Sequence, residues 1–131
     1  MNIRNPILPG FNPDPSIVRV GDDYYIATST FEWFPGVPLH HSRDLVNWKL
    51  IGHALTRQSQ LALRGIADSA GVWAPSLSYA DGQFWLLYTN IRQTGMGRPF
   101  PDRGIFLTTA TNILGPGRRR VEGRGRRQKA S

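Results

Sequence analysis

The chain has 131 residues, of which 40% are hydrophobic and 19% charged, the length and balance of one globular domain. It has no cysteine, which excludes a disulfide-stapled fold, a Cys-ligated zinc site and thiol catalysis. The formal charge of +7 sits almost wholly at one end: residues 118–131 carry seven basic side chains and one acid, and residues 1–117 are net +1.

Seven apolar runs have strand character: 16–20, 24–29, 37–41, 48–51, 76–80, 83–90 and 105–109. They are rich in Val, Ile, Tyr, Trp, Phe and Thr, and Gly, Asp and Pro bound them. Gly21-Asp22-Asp23 and Asp81-Gly82 read as hairpin turns. Only residues 58–64 suggest a short helical piece, so the fold class expected is all-β. No apolar run reaches the ~18 residues of a membrane span. The first residues lack the apolar core of a signal peptide, from which a cytoplasmic location is expected.

An internal repeat organises these strands. Pro15-Ser16-Ile17-Val18 aligns with Pro75-Ser76-Leu77-Ser78 at an offset of 60. Tyr24-Tyr25-Ile26 and Thr28-Ser29 align at the same offset with Phe84-Trp85-Leu86 and Tyr88-Thr89. His41-Ser42-Arg43-Asp44-Leu45 resembles Thr109-Ala110-Thr111-Asn112-Ile113 at an offset of 68, so the second copy holds a longer loop between Arg92 and Arg103. Repeats of about four strands suggest propeller blades, and a closed propeller has ~4–8. Two blades leave sheet edges and apolar faces open, so further blades or another chain are expected to complete the fold.

Candidate chemistry gathers at strand ends. Asp14 lies between Pro13 and Pro15, just before the first strand, where the prolines restrict the backbone. Phe31 follows the second strand, and Trp73 precedes the second repeat. Their flat faces suit the C–H surface of a sugar ring, although aromatics also serve packing between blades. Trp48 and Trp85 fall within strand patterns and are assigned to packing. His40 and His41 alternate to opposite faces and His53 is isolated, so no metal site is expected, and no cofactor. The Gly95-Met96-Gly97 loop lacks the strand–loop–helix setting of a phosphate site.

Phe11-Asn12-Pro13-Asp14-Pro15-Ser16-Ile17, Tyr24 to Phe31, His41 to Trp48 and Gly71-Val72-Trp73-Ala74-Pro75 together resemble glycoside hydrolase family 43, in its β-xylosidase branch. The resemblance runs from Ile3 to about Pro116. It implies the first two blades of a five-bladed β-propeller with an inverting glycosidase site in the central cavity. The substrates implied are β-1,4-xylooligosaccharides and arabinofuranosides. By that resemblance Asp14 is the general base and Phe31 and Trp73 wall the sugar pocket. Inversion needs two carboxyl groups about 6.5–9.5 Å apart. The family's general-acid glutamate and its tuning aspartate belong to later blades, and no acid here matches them, so the chain alone is expected to be inactive.

Two other functions compete with a glycosidase: a non-catalytic sugar-binding fragment using the same aromatics, and a nucleic-acid binder acting through the basic tail. The composition changes abruptly after Gly115-Pro116. Residues 117–131 therefore read as a disordered Arg/Gly-rich tail or the product of a shifted reading frame, which weighs against nucleic acid as a partner.

Overall fold

A computed structural model describes residues 1–92 and 103–124. Eight strands run in chain order: β1 (Ser16–Val20), β2 (Asp23–Ala27), β3 (Gly36–Ser42), β4 (Lys49–Leu55), β5 (Ser76–Ala80), β6 (Gln83–Ile91), β7 (Arg103–Ala110) and β8 (Arg118–Arg124). They form two antiparallel four-stranded sheets, ordered β1-β2-β3-β4 and β5-β6-β7-β8. Each sheet is a propeller blade, and among the described residues there is no helix.

The repeat offsets reappear as pairing register. Ser16 opposes Ala27 and Ser76 opposes Leu87, both members displaced by 60. Tyr24 opposes Ser42, whereas Phe84 opposes Ala110, displaced by 60 and 68. The hairpin turns fix this register, and a slip of one residue would turn every apolar side chain to the wrong face.

One core joins the two sheets. Ala27, Val37, Leu39 and Leu55 from the first blade meet Leu77, Phe84, Leu86 and Tyr88 from the second. Tyr25 and Phe84 touch edge to face, with ring centroids 5.3 Å apart. Ser16 at the start of β1 accepts the backbone N–H of Leu77 in β5 at 3.0 Å.

Two expectations change. Residues 58–64 make a turn rather than a helical piece, because neighbours capture the carbonyls a helix would need. Tyr88 donates its hydroxyl to the Gln60 carbonyl at 2.6 Å, and the Asn90 amide donates to the Ala62 carbonyl at 3.1 Å. The Gln60 side chain meanwhile accepts the N–H groups of Thr56 and Arg57, both at 3.3 Å. The tail expected to be disordered from residue 117 instead contributes β8, whose backbone pairs with β7 from Gly104↔Arg124 to Thr109↔Arg118. Strand addition needs only a free edge and backbone groups to match it, so an arginine-rich segment can supply it. Residues 125–131, the Gly95-Met96-Gly97 loop and Asp102 lie outside the described residues.

The β3–β4 connection is held by Asp44. Its carboxylate accepts the backbone N–H groups of Asn47 and Val46 at 2.8 and 2.9 Å, the Asn47 amide at 2.8 Å and the Ser42 hydroxyl at 2.9 Å. These bonds, that from the Asn47 backbone foremost, hold its pKa well below the ordinary carboxylate range. A depressed folded-state pKa stabilises the fold above the unfolded value of ~4, and that gain is lost as pH falls through the folded value. Asp44→Ala should therefore lower the urea midpoint at pH 7, and the gap from the parent should narrow steadily as the buffer is taken below pH ~3. A gap that stays constant down to the lowest pH would rule this linkage out.

Candidate functional site

β1 and β5 begin, and β2 and β6 end, at one end of the two blades, and the three candidate residues gather there. Asp14 lies two residues before β1 and is exposed. Its φ is +51°, a left-handed conformation that Asp tolerates better than most side chains. The flanking prolines therefore do not force an extended aspartate. They frame one that is turned out of the chain direction.

Ser29, just past β2, fixes that carboxylate. Its side chain is buried, and its hydroxyl donates to Asp14 Oδ2 at 2.9 Å. Its backbone N–H donates to the Pro13 carbonyl at 3.0 Å. The same residue thus clamps both the backbone and the carboxylate of the Pro13-Asp14 pair. A donor aimed at a carboxylate fixes its orientation.

The second repeat uses the corresponding hydroxyl differently. Thr89, 60 residues on from Ser29, accepts the backbone N–H of Trp73 at 3.1 Å. Trp73 stands where the first repeat has Pro13, which has no N–H to give. Ala74 stands where the first repeat has Asp14. The first blade therefore presents a carboxylate at this end and the second an aromatic ring.

Phe31 and Trp73 are brought together across the two blades by an isolated β-bridge. Phe31 N–H donates to the Val72 carbonyl, and Val72 N–H to the Phe31 carbonyl, both at 2.8 Å. Gly71 then pairs with Ile91 at the end of β6, donating at 2.6 Å and accepting at 2.8 Å. The Trp73 indole N–H donates to the Ser69 carbonyl at 2.9 Å, and Ser69 N–H donates to Glu32 at 3.1 Å. Phe11 extends the aromatic surface, with its ring 6.0 Å from that of Phe31.

Gly71 is essential to this bridge. Its φ is +85°, and a Cβ there would lie 2.1 Å from the Phe31 carbonyl oxygen. Phe31 is itself held at φ +49°, an outlier for a bulky residue, and the two bridge hydrogen bonds oppose its relaxation.

Four of the other acids lie well away from Asp14. Asp22 and Asp81 lie in hairpin turns, Asp23 at the start of β2 and Asp44 in the β3–β4 connection, all at the far end of the blades, a five-residue strand or ~16 Å away. Glu32 is engaged with the Ser69 N–H. Among the described residues no three His or acidic side chains converge as metal ligands would.

Sequence reasoning singled out Asp14, Phe31 and Trp73 and missed Ser29, Gly71 and the bridge. The offset of 60 already places a hydroxyl residue at the same strand end in both repeats, and that was the available signal for Ser29. Nothing local marks the bridge, which joins residues 41 apart.

Comparison with known proteins agrees with this architecture. The family model of glycosyl hydrolases family 43 matches residues 3–121. The chain is 66% identical over 115 residues to a beta-xylosidase of Bacillus subtilis (strain 168), covering 88% of this chain and 21% of that protein. It is 59% identical over 114 residues to xylosidase/arabinosidase 43B of Humicola insolens, covering 87% and 21%. The crystal structure of a xylan beta-1,4-xylosidase from Bacillus halodurans C-125 superposes with a TM-score of 0.87 at 59% identity, over 92% of this chain and 23% of that one. The chain thus spans about a fifth of the length of these relatives.

Proposed function

The chain belongs to glycosyl hydrolase family 43, and from that membership we propose that it forms the part of a pentoside hydrolase that supplies the general base and one wall of the sugar pocket. The substrate class is a β-1,4-xyloside or an arabinofuranoside. Asp14 takes a proton from the attacking water, while the faces of Phe31 and Trp73 hold the sugar ring. A second carboxyl group must protonate the departing oxygen in an inverting reaction, and no acid of this chain matches the family's general-acid glutamate. Catalysis therefore requires further chain, and the isolated 131 residues turn over nothing measurable.

The observation that carries this reading is the Ser29–Asp14 hydrogen bond of 2.9 Å at the end where the Phe31–Val72 bridge brings the two aromatics together. A general base must be aimed, and the buried hydroxyl holds the carboxylate in place.

The test uses a chimera in which residues 3–116 replace the matching segment of the Bacillus subtilis relative. Hydrolysis of an aryl β-xyloside near the parent rate is expected, and a folded but inactive chimera would refute the assignment. In that chimera Ser29→Ala should lower kcat roughly tenfold, the scale of one hydrogen bond to a charged group, with little change in KM. An unchanged kcat would show that Ser29 does not position the base.

A further inference from the structure

Glu32 is an acid that the proposed proton transfers leave unused, and it links one wall residue to the other. Phe31 precedes it in the chain. The turn that carries both is held by Thr30, whose carbonyl accepts the Trp33 N–H at 2.9 Å and whose hydroxyl accepts the Val37 N–H at 3.2 Å. The Glu32 carboxylate thus projects from a fixed backbone. It accepts the Ser69 N–H at 3.1 Å, 37 residues further along the chain.

The carbonyl of the same Ser69 accepts the Trp73 indole N–H at 2.9 Å. The two peptide groups of one residue therefore join the Glu32 carboxylate to the ring of Trp73. Ser69 has a φ of +62°, an uncommon conformation for a residue with a side chain, and its relaxation would turn the carbonyl away from the indole. The backbone of Trp73 is fastened separately. Val72 pairs with Phe31, Gly71 pairs with Ile91, and Thr89 accepts the Trp73 N–H. Main chain and ring thus have different supports, and Glu32 steadies that of the ring.

We propose that Glu32 is a positioning residue for sugar binding, whose carboxylate sets the angle of the Trp73 indole through the peptide groups of Ser69. The proposal rests on the reading of Phe31 and Trp73 as walls of the sugar pocket. Dispersion contact between an aromatic face and a sugar ring falls steeply with small gaps, so a tilted indole holds the ring less well. An indole free to sample other angles must also be ordered when the sugar arrives, which costs binding free energy. Asp14 and Ser29 take no part in this chain of contacts, so the effect belongs in KM rather than kcat.

Kinetics of the chimera on an aryl β-xyloside test this, together with the NMR resonance of the Trp73 indole proton, identified by its loss in Trp73→Phe. Glu32→Ala should raise KM roughly fivefold, the scale of one net hydrogen bond, and leave kcat within about twofold of the parent. Its Trp73 indole resonance should move upfield as the bond to Ser69 weakens. Glu32→Gln keeps a carbonyl oxygen for the Ser69 N–H and should restore both KM and the resonance. An unchanged KM in Glu32→Ala, a loss that falls on kcat instead, an indole resonance that stays in place, or a Glu32→Gln variant as impaired as Glu32→Ala would each overturn the proposal. Should Glu32→Ala fail to fold, Glu32→Asp, one methylene shorter, replaces it with the same expectations. A folded but inactive parent chimera would sink the proposed function, and the indole resonance in that same protein would still decide whether Glu32 orients the ring.

Discussion

Asp14→Asn in the chimera should lower kcat for an aryl β-xyloside by about 10²–10⁴-fold while changing KM little. That range is what a positioned general base contributes to proton transfer. The amide keeps the shape of the side chain and can still meet the Ser29 hydroxyl, which now donates to it at 2.9 Å in the carboxylate form. What it loses is the ability to accept a proton from water. Ground-state sugar binding rests on Phe31 and Trp73, which the substitution does not touch, so the loss belongs in kcat. If the variant kept more than about a tenth of the parent rate, another group would have to be the base.

Gly71→Ala should be the most damaging small substitution in the chain, destabilising the isolated protein by roughly 3 kcal/mol or more. Two costs combine. A non-glycine residue at φ +85° carries about 1–3 kcal/mol of backbone strain. The new Cβ would also lie 2.1 Å from the Phe31 carbonyl oxygen, and relief means opening the bridge, whose hydrogen bonds are worth about 1 kcal/mol each. Gly82→Ala provides the comparison. Gly82 also has a positive φ, +70°, but a Cβ there would meet no atom within 4 Å, so only the conformational cost of about 1 kcal/mol remains. Urea unfolding followed by tryptophan fluorescence reads both. Equal losses in the two variants would mean that the bridge contributes nothing to stability.

Much of the fold was legible because it depends on local alternation and on turns. The bounds of β1 and β5 match the apolar runs 16–20 and 76–80, and the offsets of 60 and 68 emerge as pairing register. β8 was hidden because no side-chain pattern of its own announces it. Residues 118–124 are strand because β7 offers them a free edge, and an edge is a property of the assembled sheet. The helical reading of residues 58–64 failed for a related reason. The Tyr88 hydroxyl and Asn90 amide that claim its carbonyls come from β6, 28 residues away. The carboxylate and the two aromatics of the site could be named from short motifs. Their support could not, because Ser29 reaches Asp14 across 15 residues and the Phe31–Val72 bridge spans two blades.

The contrast between Pro13 and Trp73 has a wider consequence. Duplicated modules tend to be equivalent as building material, and here a single hydrogen atom makes them unequal as hosts for charge. Where the imino ring withholds that hydrogen, the neighbouring alcohol has nothing to receive and turns outward to steady an anion. Where an ordinary amide supplies it, the alcohol's oxygen holds the main chain, and a methyl group sits where the anion would be. An acid placed at Ala74 would therefore meet an alcohol whose oxygen already holds the main chain and which has only its own hydrogen left to give.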